Sequence, residues 1–116
     1  MNLSKLMLVC AVALGPLVVG CKSDCESACD DYRACPGAAS ETDCSKTCSQ
    51  EQDAAGRVGC KSQLEDLSSC IADVDDVCKL DLSTQCARQN DALNTCFANF
   101  CADQPQAYDC KSYGSL

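Results

Sequence analysis

The chain has 116 residues, with 14 Cys, 9 basic and 17 acidic side chains, no His and no Trp, which limits it to one small domain. From Lys22 onward only 12 of 95 residues are Leu, Ile, Val or Phe, a share that by itself is too small to fold a chain by hydrophobic burial. The cysteines make up for that shortage and put the protein among disulfide scaffolds.

Residues 1–20 have the layout of an export signal. Lys5 supplies a positive start, Leu6 to Leu14 is uninterrupted apolar sequence, and Gly15-Pro16 breaks it. The run is too short for a membrane-spanning helix, which needs about 20 apolar residues. After the break comes Val18-Val19-Gly20-Cys21, which resembles a bacterial lipobox. The resemblance implies diacylglyceryl transfer to the Cys21 thiol, cleavage before Cys21 and acylation of the new amino terminus. Three acyl chains would anchor the protein far more firmly than the single chain that binds only marginally. Lys22 follows the modified cysteine. In the lipoprotein sorting systems that the motif resembles, Asp at that position retains a protein at the inner membrane, so Lys22 implies release to the outer membrane. The expected division is therefore signal peptide 1–20, lipidated anchor and linker 21–24, and a disulfide-rich helical domain 25–116. With Cys10 discarded and Cys21 acylated, 14 − 2 = 12 cysteines remain, an even number that can all pair.

The domain reads as all-α, about four short helices stapled into hairpins. Cys25 and Cys29 are four residues apart, as are Cys44 and Cys48, so each pair occupies one helix face. Ser23 with Glu26 forms a capping box for a first helix over 24–34, and Cys35-Pro36-Gly37 stops it. Ser40 is the expected cap of a second helix ending near Gln50 to Asp53, after a loop of about six residues. Antiparallel packing then sets Cys29 opposite Cys44 and Cys25 opposite Cys48, with small neighbours Ser27, Ala28, Ser45 and Ser49 permitting the close approach that disulfides need.

A second hairpin follows. Cys60, Leu64, Leu67, Ile71, Val74 and Cys78 step by four and three, the stripe of an amphipathic third helix. Lys79 to Leu82 connects it to a fourth, capped by Ser83 or Thr84, whose apolar face holds Cys86, Leu93, Cys96, Phe97, Phe100 and Cys101. Cys60 to Cys70 and Cys86 to Cys96 each enclose nine residues, so antiparallel packing sets Cys70 beside Cys86 and Cys60 beside Cys96. Cys35, Cys78, Cys101 and Cys110 are left with three possible pairings. A Cys101–Cys110 bridge would close the tail from Gln104 to Leu116 locally and leave Cys35 with Cys78.

The twin Cys-x3-Cys elements resemble those of mitochondrial small Tim chaperones, and the nine-residue pair resembles the twin motif of helix-hairpin proteins of the intermembrane space. Both likenesses cover cysteines alone and express one geometric solution. Over the whole mature chain the cysteine pattern resembles small cysteine-rich lipoproteins of myxobacteria and their relatives, a likeness that implies no established activity.

Chemistry has little to draw on. Without Lys5 the balance is 8 − 17 = −9, against nucleic acid binding and against electrostatic adhesion to anionic lipid. The chain lacks the histidine of general acid–base catalysis and a Gly-x-Ser-x-Gly elbow. Glu65 and Asp66 are consecutive on a helix and face apart. No Cys-x-x-Cys occurs, so neither a thioredoxin-like motif nor a zinc knuckle is expected. Asp73-Val74-Asp75-Asp76 lacks the Gly turn and distal Glu of an EF-hand and reads as an exposed helix end. Tyr32, Phe97, Phe100 and Tyr108 are expected to serve the core. The sequence thus points to a non-enzymatic, lipid-anchored envelope protein without cofactor or metal. Its expected partner is the membrane, and its interaction role is open to a chaperone-like or ligand-binding module.

Overall fold

The computed structural model describes residues 22–113; the expected signal segment 1–20 and Cys21 lie outside the described residues. Those residues form an all-α domain of α1 (Asp24–Arg33), α2 (Cys44–Arg57), α3 (Lys61–Ala72), a 3₁₀ turn (Val77–Lys79), α4 (Ala87–Asp103) and α5 (Tyr108–Tyr113).

Ser23 caps α1 as its sequence requires. Its side chain accepts from the Glu26 backbone N–H while the Glu26 carboxylate accepts from the Ser23 N–H. At the other end Cys35-Pro36-Gly37-Ala38 makes a tight turn, with the Ala38 N–H donating to the Cys35 carbonyl at 3.1 Å and Gly37 at φ +81°. Proline before a positive-φ glycine is the signature of a type II turn. The connection to α2 spans 34–43, longer than expected, and Ser40 is not the cap. Asp43 is, accepting from the Lys46 N–H at 3.0 Å.

The second helix also runs past the expected end near Gln50 to Asp53, to Arg57. Gly59, at φ +75°, ends it. The Cys60 N–H reaches back to the Ala55 carbonyl at 2.8 Å and the Gly59 N–H to that of Gly56 at 3.3 Å. These are the two hydrogen bonds of a Schellman motif, which satisfies carbonyls that a helix end leaves open. The reversal starts α3 immediately, with buried Cys60 as its first flanking residue.

Helix α3 ends at Ala72, short of the Val74 and Cys78 that continue its stripe. Asp73, Asp75 and Asp76 would put three negative charges on the negative end of a longer helix, which is unfavourable. Asp73 caps α3, and Asp76 accepts from the Cys78 N–H to start the 3₁₀ turn. Helix α4 likewise begins later than expected. Ser83 and Thr84 do not cap it; they sit in a turn wound on Asp81, whose carboxylate accepts from the Ser83 N–H and hydroxyl. Cys86 flanks α4 instead.

Helix α3 lies against α1, α2 and α4, while α4 packs on α3 and buries none of its own residues. The core is therefore narrow and rich in sulfur. Among the described residues ten apolar ones are buried, Ala28, Cys35, Cys44, Cys48, Ala55, Val58, Cys60, Leu67, Cys86 and Cys110; six of these are cysteines, and only Leu67 and Val58 are large aliphatics. The aromatic side chains do not fill this space as expected. Tyr32 is 57% and Tyr108 78% exposed, and Phe97 and Phe100 are half-buried on α4. Cross-links have taken over the work that aromatic burial does in an ordinary core.

The chain beyond α4 folds back as α5, closed by Cys101–Cys110 and by a two-pronged ion pair between Arg57 and Asp109. Arg57 Nη2 donates to Oδ1 at 2.7 Å and Nε to Oδ2 at 3.2 Å. The Arg57 guanidinium holds the Asp109 carboxyl below the usual carboxylate range. A depressed carboxylate stabilises the fold fully above that range, and the contribution disappears as pH falls through the lowered folded value. The protection of the α5 amides, measured against their intrinsic exchange rates, is accordingly expected to fall at acid pH in the native chain, and Asp109→Asn to show the lowered protection already at neutral pH.

Candidate functional site

Six disulfides organise the domain, and every one of the twelve described cysteines is in one. Cys25–Cys48 and Cys29–Cys44 rung α1 to α2 with Cα separations of 5.9 and 5.7 Å. Cys60–Cys96 and Cys70–Cys86 do the same between α3 and α4, at 5.9 and 6.0 Å. Cys35–Cys78 ties the end of α1 to the 3₁₀ turn, at 5.4 Å. The two rungs of each hairpin are the pairs that spacing and antiparallel packing set side by side, Cys35–Cys78 and Cys101–Cys110 are one of the three pairings the spacing leaves open, and all six lie within the span disulfide geometry permits. Of the small neighbours expected between the first two rungs, Ala28 is buried and Ser27 half-buried, but Ser45 and Ser49 are exposed. Each follows its cysteine by one residue, and a helix turns about 100° per residue, so both are carried off the bridged face.

Because α3 packs on both hairpin partners, Glu65 and Asp66 look into different clefts, Glu65 beside Ser23 and Asp24, Asp66 beside Arg88 on α4. They do not form a carboxylate pair. Among the described residues no group of three or more His, Cys, Asp or Glu side chains is placed to hold a metal ion, and no helix is long and apolar enough to cross a membrane.

The surface feature that does stand out is a groove of about 410 Å³ lying over α1, α2, α3 and the 3₁₀ turn. Its wall is aliphatic and sulfur-lined, with Leu64, Leu67 and Ile71 from α3, Val77 and Leu80 from the turn, and Cys25, Cys29 and Cys48 from the first rungs. Leu67 is buried at its floor, the other four aliphatics are half-buried, and Tyr32 stands at its rim.

Two charged groups mark the groove. Arg33 is already engaged, its Nε donating to the Ser40 carbonyl at 2.9 Å and its Nη1 to Asp30 at 3.3 Å. Glu51 lies against a disulfide: its Oε2 is 3.9 Å from Cys25 Sγ, and a bridged sulfur carries no proton to donate. Burial of Glu51 against this wall raises its carboxyl above the usual range. Leu64 reaches the same end of the groove, since it shares a cleft with Ser23 and Cys25. The Cys35–Cys78 bridge fixes Val77 and Leu80 at the opposite end.

No family model, curated protein or solved structure matches this chain. Sequence reasoning missed the groove because it assigned Tyr32 to the core and Leu80 to a connection. The available signal was the α3 stripe: Leu64, Leu67 and Ile71 present more apolar surface than small residues such as Ala28 on α1 cover.

Proposed function

We propose that the chain is a lipid-anchored, cysteine-rich envelope protein, a non-enzymatic domain tethered through Cys21, with a structural or interaction role. The partition of its sulfur carries this reading. Twelve cysteines close among themselves, and the remaining two are Cys10, inside the signal segment, and Cys21, at the position the lipobox acylates. Six disulfides in a small helical domain belong to an oxidising, extracytoplasmic compartment.

Cells fed labelled palmitate are expected to label the native chain, and Cys21→Ser to abolish the label. The intact mature protein should have the mass of a chain beginning at Cys21 with three acyl groups and six bridges. Label retained in Cys21→Ser, or a mature mass without lipid, overturns the anchor.

A second reading, a chaperone-like or ligand-binding helical module, is favoured by the groove. An apolar channel of this size bordered by an uncompensated carboxylate is more than a structural staple requires.

A further inference from the structure

We propose that the groove over α1, α2 and α3 receives an amphipathic basic helix of a partner protein, its apolar stripe against Leu64, Leu67 and Ile71 and a Lys or Arg on Glu51. This deepens the binding-module reading and is independent of the lipid at Cys21.

The dimensions suit a helix. Cys25 and Tyr32 on α1, and Leu64 and Ile71 on α3, are each seven residue steps apart along the groove, which at about 1.5 Å per residue is two turns. A helix laid there presents side chains at i, i+3 or i+4, and i+7, three anchors against the three aliphatics that α3 contributes.

Charge selects the sign of the partner. Among the described cations, Lys22 and Arg33 are held by Asp30, Arg57 by Asp109, Lys61 by Glu65 and Lys79 by Asp76. None of these described ion pairs includes Glu51, which lines the apolar groove, so a cation delivered there meets a carboxylate that none of them neutralises. The surrounding excess of 17 acidic over 8 basic residues from Lys22 onward favours the same approach. A second copy would bring another chain with the same acidic excess against this one, which the like charges oppose. A fatty acid seated with its head at Glu51 would set like charge on like charge, and one seated the other way round is tested by palmitate displacement.

The test is a titration of the full mature protein, reconstituted in phosphatidylcholine nanodiscs, with a fluorescent Leu/Lys peptide whose leucines fall at i, i+3, i+4 and i+7. Empty discs serve as blank. If the protein proves to carry no lipid, the same titration runs without discs, so failure of the anchor and failure of the groove are read separately. The Leu/Lys peptide is expected to bind about tenfold more tightly than its Leu/Glu twin and than a scrambled Leu/Lys peptide without the stripe. Glu51→Gln should weaken it about fivefold and flatten its salt dependence, and Tyr32→Ala should weaken it as well. Both positions are exposed, so circular dichroism should show both variants folded. Equal binding of the Lys and Glu peptides, undiminished binding of the scrambled one, or no effect of Glu51→Gln overturns the proposal. Displacement of the peptide by palmitate assigns the groove to lipid and overturns it, as does concentration-dependent dimerisation that blocks the peptide.

Discussion

Excess thiol reductant at neutral pH is expected to erase the helical far-UV signal of the oxidised domain. Helices of 10, 14, 12 and 17 residues are marginal in water unless they bury an apolar face, since isolated helices need about 12–15 good residues even to begin. Here the buried surface is mostly sulfur, and among buried side chains only Leu67 and Val58 are large aliphatics. A bridge that closes a loop of about 15 residues contributes roughly 3 kcal/mol in the chain-entropy model. Six nested bridges do not sum, yet they exceed what this core supplies against a net stability that is typically about 5–15 kcal/mol. Reduction therefore removes the dominant stabilising element in one step. The check is to titrate twelve thiols and record the spectrum on the same sample. A spectrum that keeps its helical minima with all twelve titrated would show that side-chain packing holds the fold.

The parts of this architecture legible in the sequence are those decided locally. Ser23 with Glu26 marks the start of α1, Pro36-Gly37 its end, and four-residue cysteine spacing fixes which face of each helix is bridged. Once two helices are antiparallel, spacing pairs the rungs by simple geometry. What was hidden is where local preferences tie and tertiary constraints decide. Ser40 and Asp43 are comparable caps, and the chain uses Asp43, which accepts from the Lys46 N–H. Beyond Ala72 the apolar period continues while the backbone does not, because aspartates oppose the helix dipole and Cys78 must reach Cys35. The groove was hidden for a related reason. Periodicity shows that a face is apolar, but not how many neighbours cover it, and α1 covers α3 with alanine and cystine where larger side chains would have closed the gap.

The bridges are not equivalent, and removing Cys60–Cys96 is expected to cost more than removing Cys101–Cys110. Replacing both residues by Ala opens a loop of sequence separation 36, where removing Cys101–Cys110 opens one of separation 9. On loop entropy alone the two differ modestly, at about 4 against about 3 kcal/mol. Burial widens the gap. Cys60 is fully buried beneath the Schellman turn that joins α2 to α3, so truncation there also leaves a void, and a total near 5 kcal/mol is expected. The consequence is local as well as global. Helix α4 packs on α3 and buries no residue of its own, so without Cys60–Cys96 its remaining disulfide to α3 is Cys70–Cys86, at its very beginning. The second half of α4 should then exchange its amides at the rate of the tail, while α1 and α2, held by two rungs of their own, stay protected. Denaturant unfolding of the Cys60→Ala, Cys96→Ala chain against the Cys101→Ala, Cys110→Ala chain, with amide exchange read helix by helix, decides it. Equal losses would mean that α4 is held by contact with α3 and not by its sulfur. Protection lost uniformly across all four long helices would mean that the two hairpins fold as a single cooperative unit.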